Sequence, residues 1–176
     1  MRSIITIGGS SSTNSINKKL AEYVGSLINN VELIKLDLNN FKMPLFSVDE
    51  ETENGFPNKA IELNSIFDKA DGFVISLAEH NGAYSSAFKN TFDWLSRIEG
   101  KVWRNKPMLL LATSPGARGG QTVLEIALAR FPFHGAKIVG NLSFPSFHDN
   151  FKEDEVKNSE LKLAIQKLII EFENNL

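Results

Sequence analysis

The chain contains no cysteine, which excludes disulfides, thiolate nucleophiles and thiolate metal sites together and suits a reducing compartment. It has no excess of either charge, since 19 Lys and Arg stand against 21 Asp and Glu for a net −2. Without a basic stripe, sequence-independent binding to nucleic acid lacks its electrostatic source, and no nucleic-acid partner is expected. Long apolar runs are also missing: one of the longest, Met108 to Ala112, is far short of the ~20 residues of a membrane-spanning helix, so no membrane partner is expected. The apolar run after Arg2 is too short for a signal peptide, and a cytoplasmic location is expected. The histidines, His80, His134 and His148, show no short ligand spacing, so a structural zinc is not expected. No G-x-S-x-G turn is present to carry a serine nucleophile.

What is present is the composition of an ordinary globular protein, 42% hydrophobic and 23% charged, without repeats or Pro-, Gly- or Ser-rich linkers. Residues 1–176 read as one unit, within the usual ~100 to 200 residues of a domain. Short apolar runs alternate with segments of helical spacing. The strands are expected at Ile4 to Ile7, Val31 to Leu36, Gly72 to Leu77, Pro107 to Thr113 and Ala136 to Leu142. Between them, Ile16, Leu20, Val24, Leu27 and Ile28 mark one apolar helix face. Ala60, Leu63, Phe67 and Ala70 mark a second, and Tyr84, Phe88, Phe92 and Leu95 a third. Leu124, Ala127, Leu128 and Phe131 follow, then Leu161, Ile165, Leu168 and Phe172.

Strand–helix alternation implies parallel strands covered on both faces, an α/β fold. Strand two carries Glu32 and Lys35, which suits a sheet edge, whereas strands one, three and four are almost wholly apolar and suit its centre. The order 2-1-3-4-5 follows, and the chemistry is expected beyond the carboxyl ends of the central strands.

Three loops emerge there. The first, Gly8 to Asn17, combines a glycine turn with the hydroxyls of Ser10, Ser11, Ser12, Thr13 and Ser15 ahead of a helix whose free N–H groups favour an anion. It lacks the lysine of a nucleotide-triphosphate loop and the spacing of a dinucleotide turn, which leaves either a phosphate-monoester cradle or a plain helix cap. The second loop is Ala78-Glu79-His80-Asn81-Gly82-Ala83, and the third is Ser114-Pro115-Gly116-Ala117-Arg118-Gly119-Gly120. Either can be read as a ligand contact or as a solvated turn.

These motifs resemble the NAD(P)H-dependent FMN reductases, a family with a flavodoxin-like three-layer sandwich that includes quinone, azo-dye and chromate reductases. The resemblance rests on Gly9-Ser10 through Ser15-Ile16-Asn17, on Glu79 to Gly82 followed by Phe88-Lys89-Asn90-Thr91-Phe92-Asp93-Trp94, and on Ser114 to Gly120. It implies bound FMN, with NAD(P)H as co-substrate and a small electron acceptor such as a quinone. No protein group is implied as a catalytic residue, because the flavin carries the hydride chemistry. Ser10, Ser12, Ser15, Ile16 and Asn17 would hold the phosphate by hydroxyl, amide and backbone groups. Glu79, His80, Asn81 and Gly82 would line the ribityl chain and ring edge, and Ser114, Gly116 and Ala117 the pyrimidine side. Ser12 stands where the family usually has arginine, and Ala78 and His80 where it has proline and tyrosine.

Related proteins commonly form homodimers or homotetramers, and the apolar segment Phe41 to Phe46 reads equally as a subunit contact or an intrachain lid. Two rivals to the reductase stay open: an FMN electron carrier without its own pyridine-nucleotide site, and a flavin-free interaction domain of the same fold.

Overall fold

Crossovers long enough to hold a helix let consecutive strands run parallel, and the computed structural model, which describes residues 1–176, has such a sheet at its centre. The chain begins with β1 (Arg2–Gly9), α1 (Ile16–Ser26), β2 (Val31–Leu36), a 3-10 turn (Leu38–Phe41), α2 (Val48–Asn54), α3 (Asn58–Phe67) and β3 (Gly72–Leu77). A small hairpin of β4 (Glu79–His80) and β5 (Ala83–Tyr84) leads to α4 (Ser86–Ile98), β6 (Pro107–Thr113), α5 (Gln121–Arg130) and β7 (Lys137–Phe144). The last part holds α6 (Phe147–Asn150), a hairpin of β8 (Phe151–Lys152) and β9 (Glu155–Val156), and α7 (Ser159–Asn175).

The main sheet has the order β2-β1-β3-β6-β7, and every pairing in it is parallel. Counting only its strands, this is the expected 2-1-3-4-5 of a flavodoxin-like three-layer sandwich. Glu32 and Lys35 are exposed on edge strand β2, while β3 and β6 are buried throughout. Residues of α3, α4 and α5 cover one face of the sheet, packing on Ile5, Phe73, Ile75 and Leu110. Residues of α1 and α7 cover the other, with Leu20, Val24, Ile165 and Phe172 against Ile4, Val74 and Leu109.

Some expectations are corrected. Leu27 lies past the end of α1 and is 39% exposed, so it is not part of the buried face. Tyr84 does not open a helix: it sits in β5, and Ser85 caps α4 by accepting from the Phe88 N–H. The final strand extends to Phe144, and the segment before α7 folds into α6 and a hairpin that periodicity did not reveal. The segment 41–46 packs on its own chain. Trp94 Nε1 donates to the Pro44 carbonyl at 2.8 Å, Phe46 N–H donates to Asn90 Oδ1 at 2.8 Å, and the Phe46 and Trp94 rings meet edge to face at 5.0 Å. Trp94 and Trp103 are both core residues.

The close seat of α1 on β1 depends on Gly8. A Cβ there would lie 2.5 Å from Lys18 Cα and inside contact distance of the Lys18 nitrogen, both backbone atoms that cannot swing away. Gly8→Ala therefore pushes α1 off the sheet. Urea denaturation is expected to show a loss at the upper end of the ~1–3 kcal/mol typical of overpacking; an unchanged midpoint would show that the helix tolerates the shift.

Candidate functional site

The amino end of α1 reaches the carboxyl edge of the sheet because Ser15 stops the extended chain and starts the helix. Ser15 has φ −60° and ψ 119°, and its hydroxyl oxygen accepts from the Lys18 N–H at 3.1 Å. Two other first-turn donors, the N–H groups of Ile16 and Asn17, find no acceptor within the chain. In front of them Ser10 Oγ accepts from the Ser12 N–H at 3.1 Å. The hydroxyl hydrogens of Ser10, Ser12 and Ser15 have no acceptor either, so they point to a ligand or to solvent.

Asn17 holds this turn in place. Its Oδ1 accepts from Ser76 Oγ at 2.7 Å and from the Thr113 N–H at 3.1 Å, and its Nδ2 donates to the Thr113 carbonyl at 3.1 Å. The residue is 3% exposed. The amide is anchored to β3 and β6 by these bonds, with one Nδ2 hydrogen left over.

Beside this turn lies a cleft of about 300 Å3, at the small end of ligand sites, with thirteen residues from three loops and α6 forming its wall. Of the expected residues, Ser10, Ser12, Ser15, Ile16, Asn17, Glu79, His80 and Ser114 line it. Asn81, Gly82, Gly116 and Ala117 do not. Asn81 and Gly82 instead make the turn of the hairpin, at φ 51° and 76°, the Asn-Gly pairing that a tight hairpin turn favours. Gly116 and Ala117 sit exposed on the third loop, where the Gly116 carbonyl accepts from Gly119 and Ser146. Ala78 of the second loop, together with Asn14, Thr113, Pro115 and His148, completes the lining, and none of the five was expected as a ligand contact. Asn14, Thr113 and Pro115 lie within or beside the quoted motifs. No local signal marks His148, which only the placement of β7 beside β6 brings to the same end of the sheet.

Glu79 does two things in this wall. It lines the cleft, and its Oε2 accepts from the Val123 N–H at 3.0 Å, supplying the cap that Gly120 at the start of α5 lacks. Tyr84 turns away into the core, stacked on Phe131. Burial pushes its hydroxyl up to about 12, and that oxygen has no hydrogen-bond partner. On α1, Lys18 bonds Asp37, which holds the Asp37 carboxyl below its ordinary range and raises the lysine above its own. A larger hollow of about 610 Å3 lies elsewhere, among Met1, Asn29, Val31, Glu173 and Leu176. It has neither a hydroxyl cluster nor a helix amino end, so the smaller cleft is the better ligand site.

In open α/β sheets small ligands bind at the strand-order reversal, which is where the free N–H groups of α1 lie. A model of the family described as NADPH-dependent FMN reductase matches residues 2–149, and the chain belongs to that family of FMN-dependent NAD(P)H oxidoreductases. It is 30% identical over 145 residues to the uncharacterized MG342 homolog of Mycoplasma pneumoniae, covering 80% of this chain and 85% of that protein. With a quinone reductase of Escherichia coli it shares 37% identity over 78 residues, which is 44% of this chain and 42% of the relative. Among solved structures, FerB, a flavoenzyme NAD(P)H:(acceptor) oxidoreductase from Paracoccus denitrificans, has a TM-score of 0.78 over 99% of this chain and 97% of the other. Its 21% identity makes this a likeness of fold.

Asn17→Ala would strand the Ser76 hydroxyl and the Thr113 N–H inside the protein. With ~1–3 kcal/mol for each buried group left unpaired, a loss of about 3 kcal/mol is expected by urea denaturation. A loss under about 1 kcal/mol would mean that the clamp is dispensable.

Proposed function

We propose that this cleft binds FMN with its phosphate at the amino end of α1, and that the enzyme reduces a quinone-like or other small acceptor at the expense of NAD(P)H. The observation that carries the reading is the convergence on one cleft of two unpartnered backbone N–H groups, from Ile16 and Asn17, with the hydroxyls of Ser10, Ser12 and Ser15. A phosphate monoester has enough acceptor oxygens to use all of them, and the helix dipole favours its charge. The cleft thus fits the cofactor of the family.

FMN, when bound, supplies the hydride acceptor and donor between nicotinamide and acceptor. The chain's own task is to hold and orient it. In this reading Glu79 and His80 border the sugar-like chain, Glu79 being steadied by its bond to α5. Ser114 lines the opposite side of the cleft. The exposed turns at Asn81-Gly82 and Gly116-Ala117 meet the ring where it extends out of the cleft, and the Gly116 and Ala117 N–H groups favour negative charge on it. No side chain need act as nucleophile or base. Leu45 and Val48, 80% and 67% exposed, are the apolar surface that a homodimer or homotetramer would cover.

Two measurements test this. Ser15→Ala removes a donor to a charged acceptor together with the helix cap, so flavin-fluorescence titration is expected to show FMN bound about tenfold more weakly, with riboflavin affected far less. In stopped flow, NAD(P)H is expected to bleach the bound flavin much faster than free FMN. Bleaching no faster than that of free FMN would leave the electron-carrier reading, and no flavin binding at all would leave the flavin-free one.

A further inference from the structure

A phosphate monoester carries about −1.5 to −2 charge near neutral pH, yet no lysine or arginine lines the cleft; its ionisable residues are Glu79, His80 and His148. Neutral donors at α1 can hold a dianion but leave its charge unbalanced. An imidazole on the wall balances it only when protonated, so the balance improves as pH falls.

The two imidazoles come from different sides. His80 ends β4, next to Glu79, in the hairpin that leads to α4. His148 sits on α6, whose Phe147 shares a buried cluster with Leu20, Ala21 and Val24 of α1. Just after it, Phe151 meets Tyr23 of α1 edge to face at 5.3 Å. The His148 turn is therefore packed on the same sheet face as α1. Its backbone is tied to the cleft wall, since Ser146 N–H donates to the Gly116 carbonyl at 2.9 Å and Phe147 N–H to the Ser114 carbonyl at 3.1 Å. Ser146 also holds φ at 46°, a strained conformation that persists where the surroundings over-determine it. Of the three imidazoles, only that of His134 has a hydrogen-bond partner in the chain, the Gly100 carbonyl. The His148 ring touches Phe147 edge on and is otherwise exposed.

Resting on the FMN reading above, we propose that His148 is a phosphate-recognition residue: its imidazolium closes the phosphate end of the cleft from the α6 side and makes affinity for FMN, unlike that for riboflavin, rise as pH falls. The groups that bear on its charge are few. Glu79 and His80 share the cleft, Asp149 is its neighbour on α6, and Lys152 lies on β8. From α1, Lys18 is paired with Asp37, and Lys19 and Glu22 border a separate hollow with Asp154. Arg118, on the loop after β6, donates to Thr122 Oγ1. A bound dianion favours the protonated ring, so by linkage the complex takes up a proton as it forms and tightens toward acid.

The full chain is titrated with FMN and with riboflavin between about pH 8 and about pH 6.5, above the ester's own second ionisation near ~6. Wild-type affinity for FMN is expected to rise about fourfold across this window, with riboflavin flat. His148→Gln is expected to abolish the rise while keeping riboflavin affinity, which also reports that the fold is intact. His148→Lys is expected to hold FMN at the tight end throughout, and His80→Gln to leave the rise unchanged. A rise that survives in His148→Gln, or disappears in His80→Gln, overturns the assignment while leaving FMN binding standing. Binding of neither flavin at any pH overturns both.

Discussion

The three hydrogen bonds of the Asn17 side chain are the constraint on which the site depends. They join the first turn of α1 to Ser76 on β3 and Thr113 on β6, two adjacent central strands of the sheet. With the amide anchored inward, the Ile16 and Asn17 N–H groups are left at the cleft with no partner in the chain. Gly8 makes the arrangement feasible from the other side, since any side chain there would collide with the Lys18 backbone. Donors fixed in this way lose little freedom when they meet an anion, which is how a preorganised site gains affinity.

The remaining loops are fastened to the same frame. Ser85 Oγ donates to the Gly9 carbonyl at 2.7 Å, tying the start of α4 to the end of β1. Thr113 Oγ1 donates to the Phe144 carbonyl, and Ser143 Oγ bonds the carbonyls of Arg118 and Gly119. Gly119, at φ 58°, has no room for a Cβ between Ser143 and Phe144. The cleft is thus walled by segments hydrogen-bonded to neighbouring strands and to one another. Its weakness is charge: one carboxylate and two imidazoles, with the nearest lysine of α1 already paired.

Much of this was legible in the residues. Continuous apolar runs in strands three and four, against Glu32 and Lys35 in strand two, were enough to order the sheet, because burial on both faces excludes charge. The hydroxyls before α1 marked an anion-favouring turn. Other features could not be read from periodicity. Leu27 falls at helical spacing but follows the end of the helix, and Tyr84 matches the α4 stripe while belonging to a two-residue strand. Asn81-Gly82 resembles a ligand loop and a hairpin turn equally in sequence; the backbone φ values show the turn, and a turn can still present its groups to a ligand. Asn17 reads as a ligand donor in sequence, and its partners at β3 and β6 reveal a structural role that no motif shows. His148 carries no motif; it reaches the cleft through the sheet order and the contacts of α6 with α1.

The central claim is that a phosphate rests against the first turn of α1. Its most direct test is the backbone amide NMR signals of Ile16 and Asn17, followed in the full chain as FMN or riboflavin is added. The account predicts large shifts of both amides with FMN and small ones with riboflavin. Equal shifts with the two flavins, or none with FMN under conditions where it binds, would contradict it.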